Sequence, residues 1–300
     1  ARGVQNLSDG FVDQFEDQLG VDDPNSTGET YNTTGDYYGN AGIGGNVPGV
    51  PADANDILYL KSNTTDGSTT FTDSSLFPRT ITAHGDVQHK TIYKKFGTTS
   101  LCFDGTGDYF SLADTNAWTF PADFTIEFWL RTNGTGAHHN VITKGNTDTS
   151  WAPLEWHFDI SVSTGVGFWQ MSNNGSGTGA VSMGGSTDIA DELWHHVAIV
   201  RNGNTVTMYI DGVAETSQAF SGTMLNGATQ LYIGTGGNLV DFFNGYMEEI
   251  RISNVARYTA AFTPHQNFLD TATPPGTPTN MTLVSESSTA LTAPDTAQVT

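Results

Sequence analysis

From residue 57 to residue 252 the chain reads as short apolar–polar alternations cut by clusters of Gly, Asn and Asp. Ile57–Leu60 opens the series. Leu101–Phe103, Asp108–Leu112 and Phe124–Leu130 follow, then Leu154–Ile160 and Val166–Trp169. Trp194–Val200, Thr205–Ile210, Leu231–Ile233 and Met247–Ile252 complete it. A period of two marks strands with one face on a core. Arg201-Asn202-Gly203-Asn204 and Asp211-Gly212 supply the positive φ angles of tight hairpins. Many short strands without βαβ alternation predict an all-β protein, an antiparallel two-sheet sandwich of jelly-roll type.

The ends differ from this middle. Near the N-terminus, Phe11, Val12, Phe15 and Leu19 recur at helical spacing, with Ser8 or Asp9 as cap and Gly20 as stop. So short an amphipathic helix needs a partner for its apolar stripe. Asn25–Gly49 reads as an extended arm. From Thr271 the run Thr-Pro-Pro-Gly-Thr-Pro-Thr reads as a semi-rigid linker, with a short strand predicted at 280–284. The expected division is therefore 1–52 (acidic arm with one helix), 53–268 (sandwich) and 269–300 (Pro/Thr-rich tail). Arms of this kind point to other proteins or further copies of the chain as partners.

Charge narrows the function. The chain carries 32 Asp and Glu against 11 Lys and Arg, a net −21. The first 50 residues alone hold eight acids and one base. A nucleic-acid binder needs a basic surface, as does a protein docking on anionic lipid, so neither partner is expected. No apolar run approaches the roughly 20 residues of a membrane span. The first residues do not read as a signal peptide. The single cysteine, Cys102, stands in an apolar run and is expected to be a buried, inert thiol.

In family order stand DGSTTFTDSS (66–75), KFGTTSLCFDGTGDYFSL (95–112) and DFTIEFWLR (123–131). LWHHVAIVRNGNTVTMYIDG (193–212) and NGYMEEIRISNVARYTAAFTP (244–264) follow. Together these segments resemble the laminin-G-like branch of the concanavalin A-like lectin/glucanase superfamily over residues 53–268. The domain is similar to copies in virion proteins of tailed phages, especially marine ones, and the acidic N-terminal segment is similar to connecting segments beside such copies. The resemblance implies a non-enzymatic virion protein: an appendage, fibre or capsid decoration at the particle surface. Homo-oligomers, contacts with other virion proteins through the arms, and a host-surface glycan as ligand are then expected. The alternatives are a secreted or cell-surface carbohydrate-binding module of a bacterium and, third, a glycoside hydrolase.

Retaining hydrolysis needs two carboxyls about 5 Å apart, which alternation delivers from a Glu-x-Asp-x-Glu or Glu-x-Asp-x-x-Glu run, and no such run exists here. Glu155 and Asp159 share a face at roughly 13 Å, and Glu248 and Glu249 are expected to point to opposite faces. His195 and His196 also point apart on one strand and are expected to pack rather than to share a metal. Many relatives hold one structural Ca²⁺, and oxygen ligands suit that hard cation. Asp104 and Asp108, bracketing Gly-Thr-Gly, with Glu248 closing the site, are the candidates. The competing reading makes Asp104 and Asp108 simple turn formers. For sugar, loop aromatics would stack on the ring, with amide and carboxylate groups on the hydroxyls. Trp151 in the loop 146–153 is the first candidate, with Asn146 and Asp148 beside it. Asn174, Asn238 and Asp241 in Gly-rich loops would line the same rim. Trp129, Trp156, Trp169 and Trp194 belong to strands and are expected in the core.

Overall fold

A computed structural model describes residues 29–32, 37–40, 52–134, 139–145, 154–161, 163–175 and 180–265. The expected N-terminal helix and the strand at 280–284 lie outside these residues. In chain order the strands are β1 (Glu29–Asn32), β2 (Tyr37–Asn40), β3 (Asp56–Leu60), β4 (Thr82–His84), β5 (Gln88–Lys90) and β6 (Ser100–Asp104). Then come β7 (Tyr109–Leu112), β8 (Phe124–Arg131), β9 (His139–Gly145), β10 (Leu154–Ile160), β11 (Val166–Met171) and β12 (Val181–Asp188). The last are β13 (His195–Asn202), β14 (Thr205–Ile210), β15 (Val213–Ala219), β16 (Leu231–Ile233) and β17 (Asn244–Ser253). β1 and β2 pair as a two-stranded ribbon.

The other strands build the expected sandwich. A seven-stranded sheet runs β12-β11-β10-β9-β16-β7-β4, and the opposing sheet runs β15-β14-β13-β8-β17-β6-β5 with β3 added against β17. All named strand pairs are antiparallel, so alternate residues face inward. Leu58, Leu60, Phe103, Phe110, Phe128, Trp156, Phe158, Trp169, Ile199 and Ile252 fill the space between the sheets. At the β14–β15 hairpin Asp211 has φ 50° and Gly212 φ 79°, two left-handed residues as the Asp-Gly signal predicts.

One side of the larger sheet is buried twice over. On β8, Phe124, Ile126, Phe128 and Leu130 enter the core, yet outward-facing Thr125, Glu127 and Trp129 are buried too. The chain after β17 returns across them as a strap. Arg257 N donates to Thr125 Oγ1 at 2.9 Å, Tyr258 OH to Glu127 at 2.6 Å, and Trp129 Nε1 to His265 Nε2 at 3.2 Å. Tyr258 stacks on Phe262 at 3.5 Å, and both pack on Ala198, Val200 and Tyr209.

Carboxylates beneath the strap are matched by cations. Burial alone would raise the Glu127 pKa, but His196 Nε2 at 3.3 Å, Tyr258 and Arg251 bring it to about 2. Arg251 grips Asp56 with two bonds of 2.7 and 2.9 Å, and Arg257 reaches both Asp53 and Asp56. His196 thus packs beneath the strap, while His195 is clamped between Asp211 (2.7 Å) and Asp191 (3.1 Å). Glu248 and Glu249 depart from simple alternation. A bulge, with Glu249 at φ 52°, breaks the β17–β8 register and leaves both carboxylates on the outer side. Glu249 accepts Tyr59 OH at 2.5 Å, and Glu248 accepts the N–H groups of Lys95 and Phe96.

Candidate functional site

The outer face of the seven-stranded sheet has no such strap among the described residues, and the register of its strands sets out two rows of side chains. The first row is aromatic and acidic. Phe168, Asp159 and Asn140 are cross-strand partners on β11, β10 and β9. Phe242 bridges Asn140 through its backbone, and its ring lies 6.1 Å from that of Tyr109 on β7. Tyr109 in turn is paired with and stacked on His84 of β4. Five steps of about 4.8 Å make this row roughly 24 Å long. Phe168, Phe242, Tyr109 and His84 are half-buried.

The second row is polar: Ser182, Gln170, His157, Thr143, Tyr232, Ser111 and Thr82, again in register. Its groups are already oriented. Gln170 Nε2 donates to Ser182 Oγ at 3.3 Å, His157 Nε2 lies 3.1 Å from Gln170 Oε1, and His84 Nε2 lies 2.9 Å from Ser111 Oγ. Burial pushes His157 down to about 4, so its ring is neutral at physiological pH. Asp159 moves the other way. Burial, reinforced by the Asp241 carboxylate, raises it to about 7.

Asp241 belongs to a loop, 234–243, that closes on itself and lies along β9. Phe243 N donates to Gly234 O, Gly234 N to Val141 O, Asn140 N to Asp241 O and Gly237 N to Gly145 O. Leu239 (φ 55°) and Asp241 (φ 54°) are both left-handed. Asp tolerates that conformation better than Leu, so the loop holds strain at Leu239.

The expected sugar rim is placed in part. Trp151, Asp148 and Asn146 lie outside the described residues. Gly175 accepts Leu154 N, and Gly237 donates to Gly145 O, so the two Gly-rich loops meet the residues that bracket segment 146–153. Asn174 stands there, exposed, with Oδ1 accepting from Ser172 Oγ at 3.1 Å. Asn238 follows Gly237 and is half-buried. Asp241 is set away from that end, on the sheet face beside Asp159. His84, Tyr109, Asp159, Phe168, Tyr232 and Phe242 were not singled out from sequence for sugar contact. For the strand residues among them the available signal was phase: they alternate with residues of the core. Glu155 does not join them. It is fully buried, bonded to Lys144 Nζ (2.9 Å) and Thr229 Oγ1 (2.6 Å).

The metal candidates are also rearranged. Asp104 and Asp108 come together, and Asp86 joins them, with one carboxylate oxygen from each within 4.8 Å of the others. Asp108 Oδ1 accepts Asp86 N at 2.7 Å, and Oδ2 accepts Asp104 N at 3.0 Å. Gly85 (φ 72°) sits so close that a Cβ would fall 2.3 Å from Asp108 Oδ1. Burial raises the Asp108 pKa, the two N–H bonds oppose this, and repulsion from Asp104 and Asp86 adds to it. Three oxygens whose charges repel fit a hard cation by donor type. Glu248 is not among them. Its two N–H bonds hold it near Lys95 and Phe96, and burial raises it to about 9 despite them. Cys102 is half-buried rather than buried, because Leu101 and Phe103 take the inward positions of β6; burial nonetheless raises its thiol pKa.

Similar folds occur among binding domains. The binding domain of Paraclostridial Mosquitocidal Protein 1 superposes with a TM-score of 0.52 at 16% identity, over 68% of this chain and 50% of that one. The binding domain of botulinum neurotoxin DC in complex with SialylT gives 0.50 at 18% identity, over 68% and 48%. The receptor binding domain of botulinum neurotoxin D gives 0.50 at 14%, over 68% and 50%. At these identities the likeness is one of fold, and the match spans about half the length of each neighbour. No curated protein matches by sequence. Residues 104–261, more than half of the chain, match the family described as concanavalin A-like lectin/glucanases superfamily, and the chain belongs to it.

Proposed function

We propose that this chain is a non-enzymatic carbohydrate-binding module whose sugar-binding surface is the outer face of the seven-stranded sheet. The carrying observation is the register of two parallel rows, half-buried rings beside oriented polar groups. Half-buried rings can stack on the C–H faces of sugars, while the half-buried Asp159, Asp241 and Tyr232 meet the hydroxyls; Gln170 and Ser111 are buried and only hold their neighbours in place. The neighbours named as binding domains support this reading. A glycan array probed with the intact chain tests it: binding lost in a Tyr109→Ala variant supports the assignment, and an empty array overturns it. A raised carboxyl beside a second carboxylate also occurs in glycoside hydrolases. Release of reducing ends from a bound glycan, lost on Asp159→Asn, would replace binding by hydrolysis.

The finer reading makes this module part of a phage particle, as an appendage, fibre or decoration subunit held by its arms, with the sheet face turned to host glycans. It rests on the resemblance of the domain and of the acidic N-terminal segment to virion proteins. A secreted or cell-surface bacterial adhesion module is the alternative. Mass spectrometry of purified particles separates the two.

A further inference from the structure

Resting on the glycan-binding reading above, we propose that the sheet face selects uncharged glycans and rejects those carrying sialic acid, uronate or sulfate. A cation near the ring strongly favours an anionic sugar, and among the described residues every base is either bonded or placed away from this face. Apart from Arg2, every Lys and Arg lies within the described residues. Arg251 and Arg257 serve Asp56 and Asp53 beneath the strap. Lys144, although on β9, is fully buried, with Nζ bonded to Asp114, Glu155 and Thr229 O. Arg201 donates to the carbonyls of Gly203 and Gly222, and Arg79 lies over the Trp118 ring and donates to Ile57 O. Lys61 lies over Tyr59, Lys95 over Trp129, and Arg131 over Tyr93, all on the other sheet. Lys90 ends β5 of that sheet, and Lys94 follows in the loop leading to β6.

What the face does carry is acceptors. Asp159 and Asp241 are acceptor-only when ionised, which suits the O–H donors of a sugar and opposes a second anion. Partial burial of Asp159 strengthens that repulsion, because the effective dielectric there is well below that of water. The imidazoles do not reverse the sign. His157 is buried and bonded to Gln170, and His84 is packed on Tyr109 with Nε2 at Ser111.

The test uses the intact chain at pH 8 against immobilised neutral glycans, each beside its sialylated and sulfated counterpart, in 0.15 M and in 1 M NaCl. At least tenfold weaker binding of the anionic member of each pair is expected. Because screening at 1 M removes long-range repulsion from the net charge, the preference should persist there. The paired ratio should shrink to about threefold or less in D159N/D241N, with melting curves confirming its fold. A wild-type chain that binds anionic members as tightly as neutral ones overturns the selectivity while leaving glycan binding intact. A preference that vanishes in 1 M NaCl, or is unchanged in the double variant, takes it away from these two carboxylates. An array on which nothing binds removes the glycan reading and this inference together.

Discussion

The imidazole of His84 lies flat on the ring of Tyr109, with centroids 4.2 Å apart and planes 5° from parallel. The same tyrosine ring lies 6.2 Å from Tyr232 and 6.1 Å from Phe242. Tyr109 is thereby held by three neighbouring rings while staying half-buried. A ring so held loses little freedom when a ligand stacks on it.

Tyr109→Ala should weaken glycan binding by on the order of 1–3 kcal/mol, the scale of aromatic stacking on nucleobases, with a modest fall in melting temperature. Trp151→Ala is the informative comparison. If titration calorimetry shows that Trp151→Ala abolishes binding and Tyr109→Ala does not, the ligand sits on the loop rim instead of the sheet.

Asp159 imposes a pH dependence on stability. Its pKa in the fold, about 7, stands above the ordinary aspartate value of 3.8. Between these values the folded state holds a proton that the unfolded state lacks, so stability falls as pH rises through this window and levels off above it. Asp159→Asn should therefore stabilise the protein by ~2–4 kcal/mol at pH 8. The gain should disappear near pH 4. Urea melts of both proteins at the two pH values check this, and an equal difference at both would refute it.

Glu127 behaves in the opposite sense. Its pKa falls from 4.5 to about 2 on folding, so its contribution is present above 4.5 and is lost as pH drops toward 2. Glu127→Gln breaks a buried charge pair and should cost roughly 3–5 kcal/mol near neutral pH. Its deficit in urea relative to wild type should narrow below pH 4.5.

The Asp86–Asp104–Asp108 cluster should respond to Ca²⁺. At fixed ionic strength, melting temperature is expected to rise with CaCl₂ over EDTA as RT ln(1+[L]/Kd). Asp104→Asn should remove that increment. The smooth NaCl response expected from a net charge of −21 should remain. Superimposable curves in EDTA and CaCl₂ would reduce the cluster to a turn.

The sandwich was legible in the sequence, because alternation with period two reports one dry face wherever a strand has one. β8, β13, β14 and the Asp211–Gly212 hairpin were legible for that reason. Among the strands it did not announce, β9 (HNVITKG) is buried throughout and offers no alternation to read. β15 (VAETSQA) buries no residue at its sheet edge, and β12 (VSMGGSTD) loses its alternation in glycines. The site was less legible still. Asp86 reaches Asp104 only because β4 and β5 lie in opposite sheets, so that the turn between them meets the β6–β7 turn. Glu248 and Glu249 share a side only because a bulge breaks the alternation. Asp159 meets Asp241, and Phe242 meets Tyr109, across strands distant in sequence. Period two says which residues leave the core. Which of them meet on the outer face is set by strand order and register, and those are long-range pairings that no local pattern encodes.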